Sequence, residues 1–327
     1  MKPNIGIVMV TFNSYSKLGD FFIEALSSIK ENCDEDCFVV VVDNNSRDST
    51  REVIRRRLDS NLLLLPLPHN VGLPKAYNMG VVYAKMKGLE PSFYFFMNDD
   101  VILEPHLLKK LMRILETSDK IGAVQPLIVH RDGILEMGFL LGYTGLVKAV
   151  RIQKYPRFIN CIVAGAALLV KSKALHEAGL FDNNYFWGYD DVDFVWRLQK
   201  LGYITLVDTS VKVWHYGSAT LGKIHPLKDY LNTRNRIWMF FKNSRGRIVI
   251  YAPFLFLGIL FTLILRLRSR NKSSIIKIVE GLMDSLRYLK PYLRHSPYIE
   301  GNAMMPTILA DALRVSKGIK SIIGVKY

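Results

Sequence analysis

The chain has 327 residues, 50% of them hydrophobic, which fills a sizeable core in one large domain or two modest ones and excludes a disordered tail. Its formal net charge is +15, and from Lys242 onward 15 Lys and Arg stand against 4 Asp and Glu, so the basic character belongs to the C-terminal third. An apolar stretch beside that charge favours an anionic membrane surface over nucleic acid as its partner.

Met1-Lys2-Pro3-Asn4 runs at once into an apolar segment without the pattern of a secretory signal, so a chain that starts in the cytoplasm is expected. Ile5-Gly6-Ile7-Val8-Met9-Val10 reads as a strand that closes in Thr11-Phe12-Asn13-Ser14, and Leu18, Phe21, Phe22, Ala25, Leu26 and Ile29 follow at helical spacing. Cys33, Cys37 and Cys161 match no zinc spacing and read as reduced thiols. Residues 38–42 are continuously apolar, as a parallel strand buried on both faces requires, and give way to Asp43-Asn44-Asn45-Ser46. A third strand over 62–65 leads to Asn70-Val71-Gly72 and then Ala76-Tyr77-Asn78-Met79-Gly80 on a helix running toward Lys87.

The fourth strand, Phe93-Tyr94-Phe95-Phe96-Met97, stops at Asn98-Asp99-Asp100. An unpaired carboxylate is too costly to carry through a core, so these acids sit where the strand leaves the sheet, the end at which open α/β sheets bind ligands. Adjacent carboxylates there suit a hard cation beside substrate phosphates, or else they cap the next helix. Strands that alternate with polar turns and helices predict a doubly wound, Rossmann-like, mostly parallel α/β sheet flanked by helices.

After Ser118 the composition shifts, and residues 121–129, 146–152 and 161–170 read as further strands. Trp187-Gly188-Tyr189-Asp190-Asp191-Val192-Asp193 opens a helix over 194–201 that Gly202 closes. Two short strands, 204–207 and 211–214, deliver His215, and from Pro226 the pattern is helical. Residues 248–265 carry no charge over 18 positions, the lower limit for a bilayer span, and are flanked by Lys242, Arg245 and Arg247 before and by Arg266, Arg268 and Arg270 after. A surface-lying or re-entrant helix, a buried bundle helix and a span all fit, and the two-sided charge favours the first. Ile275, Val279, Leu282, Leu286 and Leu289 mark a following amphipathic helix.

Six motifs in this order resemble the inverting GT-A glycosyltransferases of the family-two type, which include rhamnosyl- and galactofuranosyltransferases: Val10-Thr11-Phe12-Asn13, Val42-Asp43-Asn44-Asn45-Ser46, Asn70-Val71-Gly72 with Ala76 to Gly80, Asn98-Asp99-Asp100, Gly188 to Asp193 with Arg197, and His215 before Gly217. The resemblance covers roughly residues 5–241. It implies a nucleotide-sugar half over 1–118 and an acceptor and catalytic half over 119–225, while the helical, basic, apolar region over 226–327 reads from its own composition as membrane-associating. It also implies a nucleoside diphosphate-sugar donor, a glycan or lipid-linked acceptor, and a place on the inner face of the cell membrane.

The resemblance further implies that Thr11, Asn13, Asp43, Asn70, Gly72, Ala76, Asn78, Asn98 and Asp99 line the donor site, with Asp43 on the base or ribose; as a plain turn residue Asp43 forms an Asx turn with Ser46. Asp100 and His215 are the implied ligands of Mn²⁺ or Mg²⁺, and imidazole tilts the choice toward Mn²⁺. Asn98 departs from the family's Asp-x-Asp, and the lost charge weakens the metal site unless the diphosphate supplies most ligands. Asp191 is the expected base, with Asp190 its competitor, and Trp187 and Tyr189 form a wall against the sugar. A sugar nucleotidylyltransferase would carry a Gly-rich basic loop where Val10-Thr11-Phe12-Asn13 stands, and a catalytically silent glycan-binding or membrane scaffold is the reading from another class.

Overall fold

The computed structural model describes residues 3–57, 61–150, 155–163, 165–217, 225–244 and 248–289. The elements in chain order are β1 (Ile5–Thr11), α1 (Ser14–Leu18), α2 (Asp20–Asn32), β2 (Cys37–Asp43), α3 (Thr50–Arg57), β3 (Leu62–Pro66), α4 (Leu73–Met86), β4 (Phe93–Asn98), β5 (Val101–Leu103), α5 (Leu107–Glu116) and β6 (Ile121–His130). They continue with β7 (Leu135–Glu136), β8 (Phe139–Leu141), β9 (Val147–Ala149), β10 (Phe158–Asn160), β11 (Ala167–Lys171), α6 (Ser172–Ala178), α7 (Asp190–Lys200), β12 (Ile204–His215), α8 (Pro226–Ser244), α9 (Ile248–Arg268) and α10 (Lys272–Arg287).

Ten strands form one sheet along the path β10-β12-β6-β11-β4-β1-β2-β3, with β5 added on β12 and β7 on β6, while β8 and β9 make a separate ribbon. The run β3-β2-β1-β4 is parallel. Strand β11 reverses direction between β4 and β6, and β12 again runs parallel to β6.

Every residue of β1 and β2 is buried, because helices cover both faces. Alternation sorts the side chains: Val8, Val40, Val42 and Phe96 pack with Tyr77 and Val81 of α4 on one face. Ile7, Met9, Val39, Val41 and Phe95 pack with Phe22, Leu26 and Ile29 of α2 on the other. A Cβ on Gly80 would lie 2.6 Å from Val8 Cγ1, so glycine lets α4 approach β1. The register Thr11 with Asp43 and Val10 with Asn98 brings the C-terminal ends of β1, β2 and β4 level with one another.

Several expectations are corrected here. Residues 204–215 form one strand with a register shift between Asp208 and Lys212, because Asp208 Oδ1 accepts from both the N–H (2.9 Å) and the hydroxyl (2.7 Å) of Ser210 and bulges the chain. The stretch 161–170 is split between the chain after β10 and strand β11, and the strand expected at 146–152 shrinks to β9. Its residues 151 and 152, the flank at Arg245 and Arg247, and everything from 290 onward lie outside the described residues. Cys33 and Cys37 are disulfide-bonded rather than reduced thiols: the turn from α2 into β2 brings their Cα atoms to 5.2 Å, within bridging range, and only Cys161 is a free thiol.

The face that α10 buries only partly follows the apolar stripe: Leu289 is buried and Leu282 packs against the core. Ser274, Ile278, Gly281 and Ser285 are buried, while Val279 and Leu286 face outward. A Cβ on Gly281 would lie 2.6 Å from Tyr230 O, so small side chains bring α10 close to α8. Helix α9 is long and apolar enough to cross a membrane and, among the described residues, buries only its Leu255, Gly258 and Ile259.

Candidate active site

The donor-side residues gather at the aligned ends of β1, β2 and β4. Asp43 is fully buried, accepting from Thr11 Oγ1 (3.3 Å) through Oδ1 and from Ser46 N (3.1 Å) and Arg51 Nε (2.5 Å) through Oδ2. The Asx turn with Ser46 is therefore formed, and Arg51 neutralises the carboxylate. Asn13 adopts the left-handed conformation (φ 51°) and ties the first turn to the second: its N–H donates to Ser46 Oγ (2.9 Å), and its Oδ1 accepts from Arg47 N (2.8 Å).

Asn70 Oδ1 accepts from Asn44 Nδ2 and from Gly72 N, both at 2.9 Å, and fixes the turn into α4. Gly72 has φ +86°, and a Cβ there would lie 2.5 Å from the Phe186 carbonyl oxygen, so glycine is required for this loop to touch the loop before α7. Ala76 and Asn78, expected at the donor, turn inward. Ala76 is wholly within the core. Asn78 gives both amide protons to Phe181 O (2.7 Å) and Asn183 Oδ1 (2.8 Å) and accepts from Phe181 N (3.0 Å), which commits it to holding that loop.

The strand end itself carries the sharpest contrast. Asn98 Oδ1 accepts from the Tyr77 hydroxyl (3.0 Å), so its carbonyl is partly spent inside the protein. Asp99 takes the Ser14 hydroxyl, and burial together with the charge of Asp100 pushes its carboxyl up to about 7. Asp100 Oδ1 lies 3.1 Å from His215 Nε2, and Asp100 Oδ2 accepts from Gly217 N (3.2 Å). Burial works against the charged form of His215, but the hydrogen bond and charge of Asp100 outweigh it and raise its pKa.

The Asp100 and His215 donors fit a divalent cation in part. Asp100 and His215, hydrogen-bonded to each other at 3.1 Å, are a carboxylate and an imidazole that would hold a divalent cation in place of the proton between them. No group of three or more His, Cys, Asp or Glu side chains able to hold a metal occurs among the described residues. The remaining ligands must then come from phosphate oxygens and water.

The second acidic centre opens α7. Asp193 leaves the competition at once: it is buried and bonded to Arg197 Nε (3.0 Å), Lys242 Nζ (2.9 Å) and Asn243 Nδ2 (2.7 Å). Burial alone would push its carboxyl up, yet Lys242 and Arg197 hold it at about 2. Asp190 is buried and pushed up to about 8 by burial and by Asp191. Asp191 is half-buried, accepts from Gly165 N (2.9 Å) and its neighbour Val192 N (2.8 Å), and borders a cavity. Burial raises its pKa, while these two N–H groups oppose the rise. Tyr189 is more wedge than wall, because its hydroxyl donates to Gly145 O (2.8 Å).

The profile of the family described as Glycosyl transferase family 2 matches residues 6–177, more than half of the chain. The chain belongs to glycosyl transferase family 2. This family-2 chain is 23% identical over 298 residues to the dTDP-rhamnosyl transferase RfbF of Shigella flexneri, covering 88% of this chain and 97% of that protein. It is 27% identical over 249 residues to an N-acetylglucosaminyl-diphospho-decaprenol L-rhamnosyltransferase of Mycobacterium tuberculosis, covering 68% and 79%. Among solved structures, GalNAc-T7 with UDP, GalNAc and Mn²⁺ superposes with a TM-score of 0.62 at 14% identity, over 90% of this chain and 56% of that chain. The S. aureus TarS fragment 1–349 with UDP-GlcNAc gives 0.60 at 15% identity, over 87% and 81%. The fold of the family-2 chain is thus GT-A, and the chain is a glycosyltransferase rather than a sugar nucleotidylyltransferase.

Sequence reasoning missed three contributors to this family-2 site. Ser14, Arg51 and Tyr77 bond Asp99, Asp43 and Asn98 respectively. Tyr77 lies inside a motif that carries the resemblance and Ser14 directly follows another, whereas nothing local marks Arg51, which α3 places eight positions beyond its partner.

Proposed function

We propose that this glycosyltransferase moves a sugar, with inversion, from a nucleoside diphosphate-sugar bound over the ends of β1, β2 and β4 to a hydroxyl of a lipid-linked or polymeric glycan. One observation carries the reading: Asn98 N donates to Ala166 O (3.0 Å) and the adjacent Gly165 N donates to Asp191 Oδ2 (2.9 Å), so the turn before β11 joins the acidic end of β4 to the acidic start of α7. Inverting transfer asks for this arrangement, with a base on the acceptor's side of the anomeric carbon and positive charge on the leaving group's side.

In this reading Asp100 and His215 hold Mn²⁺ or Mg²⁺, which supplies Lewis-acid stabilisation of the departing diphosphate. Asp43 and Thr11 receive the nucleoside, while Asn13, Asn44 and Asn70 hold their turns rigid. Asp191 takes the acceptor's proton as its oxygen bonds to the anomeric carbon and the bond to the diphosphate breaks. Asp190, held largely protonated near neutral pH, leaves Asp191 as the ionised member of the pair.

The uncovered apolar face of α9 supports a peripheral position on a membrane, on the cytoplasmic side where nucleotide sugars would be met. The Cys33–Cys37 bridge ties the end of α2 to the start of β2, at the opposite strand end from the site, so its reduction there leaves the site intact. The test is a thermal-shift panel of UDP-, GDP- and dTDP-sugars with and without Mn²⁺, followed by assignment of the product anomer. Stabilisation by one nucleotide class and an inverted product bear the reading out. No stabilisation by any donor, or retention of configuration, overturns it.

A further inference from the structure

Asp191 borders an open cavity of about 350 Å³ lined by residues of α7, the β8–β9 ribbon, α8 and α9. Arg236 on α8 lines the same cavity, is 3% exposed, and leaves its buried Nε without a hydrogen-bond partner. Its charge is also uncompensated among the described residues: burial lowers its pKa, and only the Tyr189 hydroxyl opposes that. The other guanidinium on the cavity is different. Arg266 of α9 is clamped by Asp229 through both oxygens (3.1 and 2.9 Å) and is neutralised. A buried guanidinium with a free donor is costly unless an anion completes it, and its planar fork suits phosphate oxygens.

The same cavity has a lipid side. Thr262 and Arg266 bring α9 into its wall, while Phe256, Leu257, Phe261 and Leu265 of that helix are exposed at 62, 54, 54 and 45%. A molecule that fills the cavity with a phosphate therefore has an uncovered apolar helix beside it to receive a hydrocarbon chain. Resting on the function proposed above, we propose that this cavity is the acceptor subsite for a sugar joined through phosphate to an apolar chain. Arg236 pairs the phosphate, Asp191 faces the sugar hydroxyl, and the outer face of α9 accompanies the chain into the lipid.

Farnesyl diphosphate, inorganic pyrophosphate and farnesol are the probes, titrated calorimetrically into the full chain with and without UDP, GDP or dTDP and Mn²⁺. Farnesyl diphosphate is expected to bind at least about tenfold more tightly than either of the other two, since a hydrogen-bonded charge pair and the chain each contribute at that scale. Nucleotide should not displace it. Arg236→Gln should weaken it about tenfold or more while leaving the thermal midpoint unchanged or raised, because a buried uncompensated cation is being removed. Thr262→Trp, which fills the cavity from α9 and spares Arg236, should weaken it as well.

Equal binding of farnesol would overturn the phosphate, and equal binding of pyrophosphate would overturn the lipid. Displacement by nucleotide would move the anion to the donor site, and unchanged affinity in both variants would move it elsewhere on the molecule; either result sinks the proposal. None of these readings uses donor turnover, so failure of the subsite and failure of the proposed reaction are separable.

Discussion

His215 Nε2 stands 3.1 Å from Asp100 Oδ1 because β12 ends in register with β5, His215 opposite Val101, immediately after the acidic turn. Backbone pairing, not side-chain attraction alone, sets the separation. Asp100 is fixed further by its carbonyl, which accepts from Tyr216 N (2.9 Å). A cation taken up here would displace the proton that His215 Nε2 and Asp100 Oδ1 share, while the backbone around both residues holds them in place.

Two protein ligands give weak binding by themselves. Mn²⁺ affinity should therefore be low in the free protein and rise at least about tenfold with a nucleoside diphosphate, whose oxygens complete the shell. Asp100→Ala and His215→Ala should each abolish this coupling in calorimetry. Tight Mn²⁺ binding without nucleotide would contradict the assignment.

Much of this was legible in the sequence for one physical reason: a buried strand cannot carry acids, so Asp43, Asn98, Asp99 and Asp100 had to mark strand ends. The partnership of Asp100 with His215 was not legible from periodicity, since it depends on a strand pairing distant in sequence, and it came only through the resemblance. Asn78 shows the converse. Its motif pointed to the donor, but its amide is spent on the Phe181 and Asn183 loop, a non-local contact that no spacing reports. Apolar periodicity also misjudged part of α10, where close approach to α8 selects Ser274, Gly281 and Ser285 over larger residues. Arg236 sat unremarked in a helical stretch, because only the structure shows which polar atom is left unpaired.

Asp193 predicts a pH dependence of stability. Its folded carboxyl is held at about 2, below the unfolded value of about 3.9, so its contribution is present above that higher value and is lost as pH falls through 2. A shift of this size corresponds to about 2–3 kcal/mol near neutral pH. Urea unfolding should find Asp193→Asn less stable than wild type by at least that much at about pH 7, with Lys242 and Arg197 left uncompensated. The gap should narrow below about pH 4, and a constant gap down to pH 2 would contradict the depressed value.

Phe256 and Phe261 test the proposed membrane association. At 62% and 54% exposed they contribute little to folding, while insertion of a Phe side chain into lipid is worth about 1.5–3 kcal/mol. The double variant Phe256→Glu with Phe261→Glu should keep its thermal midpoint and lose more than about tenfold in binding to anionic liposomes. Wild-type binding should weaken with added salt, since the exposed Arg268, Arg270 and Lys272 share the task. A full chain that stays in solution at low salt would remove the surface-lying helix from the account.

Asp191 and Asp190 are told apart by replacing each with Asn, which keeps shape and hydrogen bonding but cannot take a proton. A positioned carboxylate base contributes about 10²–10⁴-fold, so Asp191→Asn should lower transfer by that factor while nucleotide affinity survives. Asp190→Asn should act differently. Each carboxyl of the pair is raised by burial, and Asp190 is raised further by the charge of Asp191. A base must be ionised, so activity falls as pH drops through the raised pKa of Asp191. Asp190, pushed up to about 8, is already protonated where Asp191 titrates, so Asp190→Asn should leave the acid limb of the rate profile in place and retain the plateau rate. If Asp190→Asn instead abolishes transfer and Asp191→Asn retains it, the two residues exchange roles.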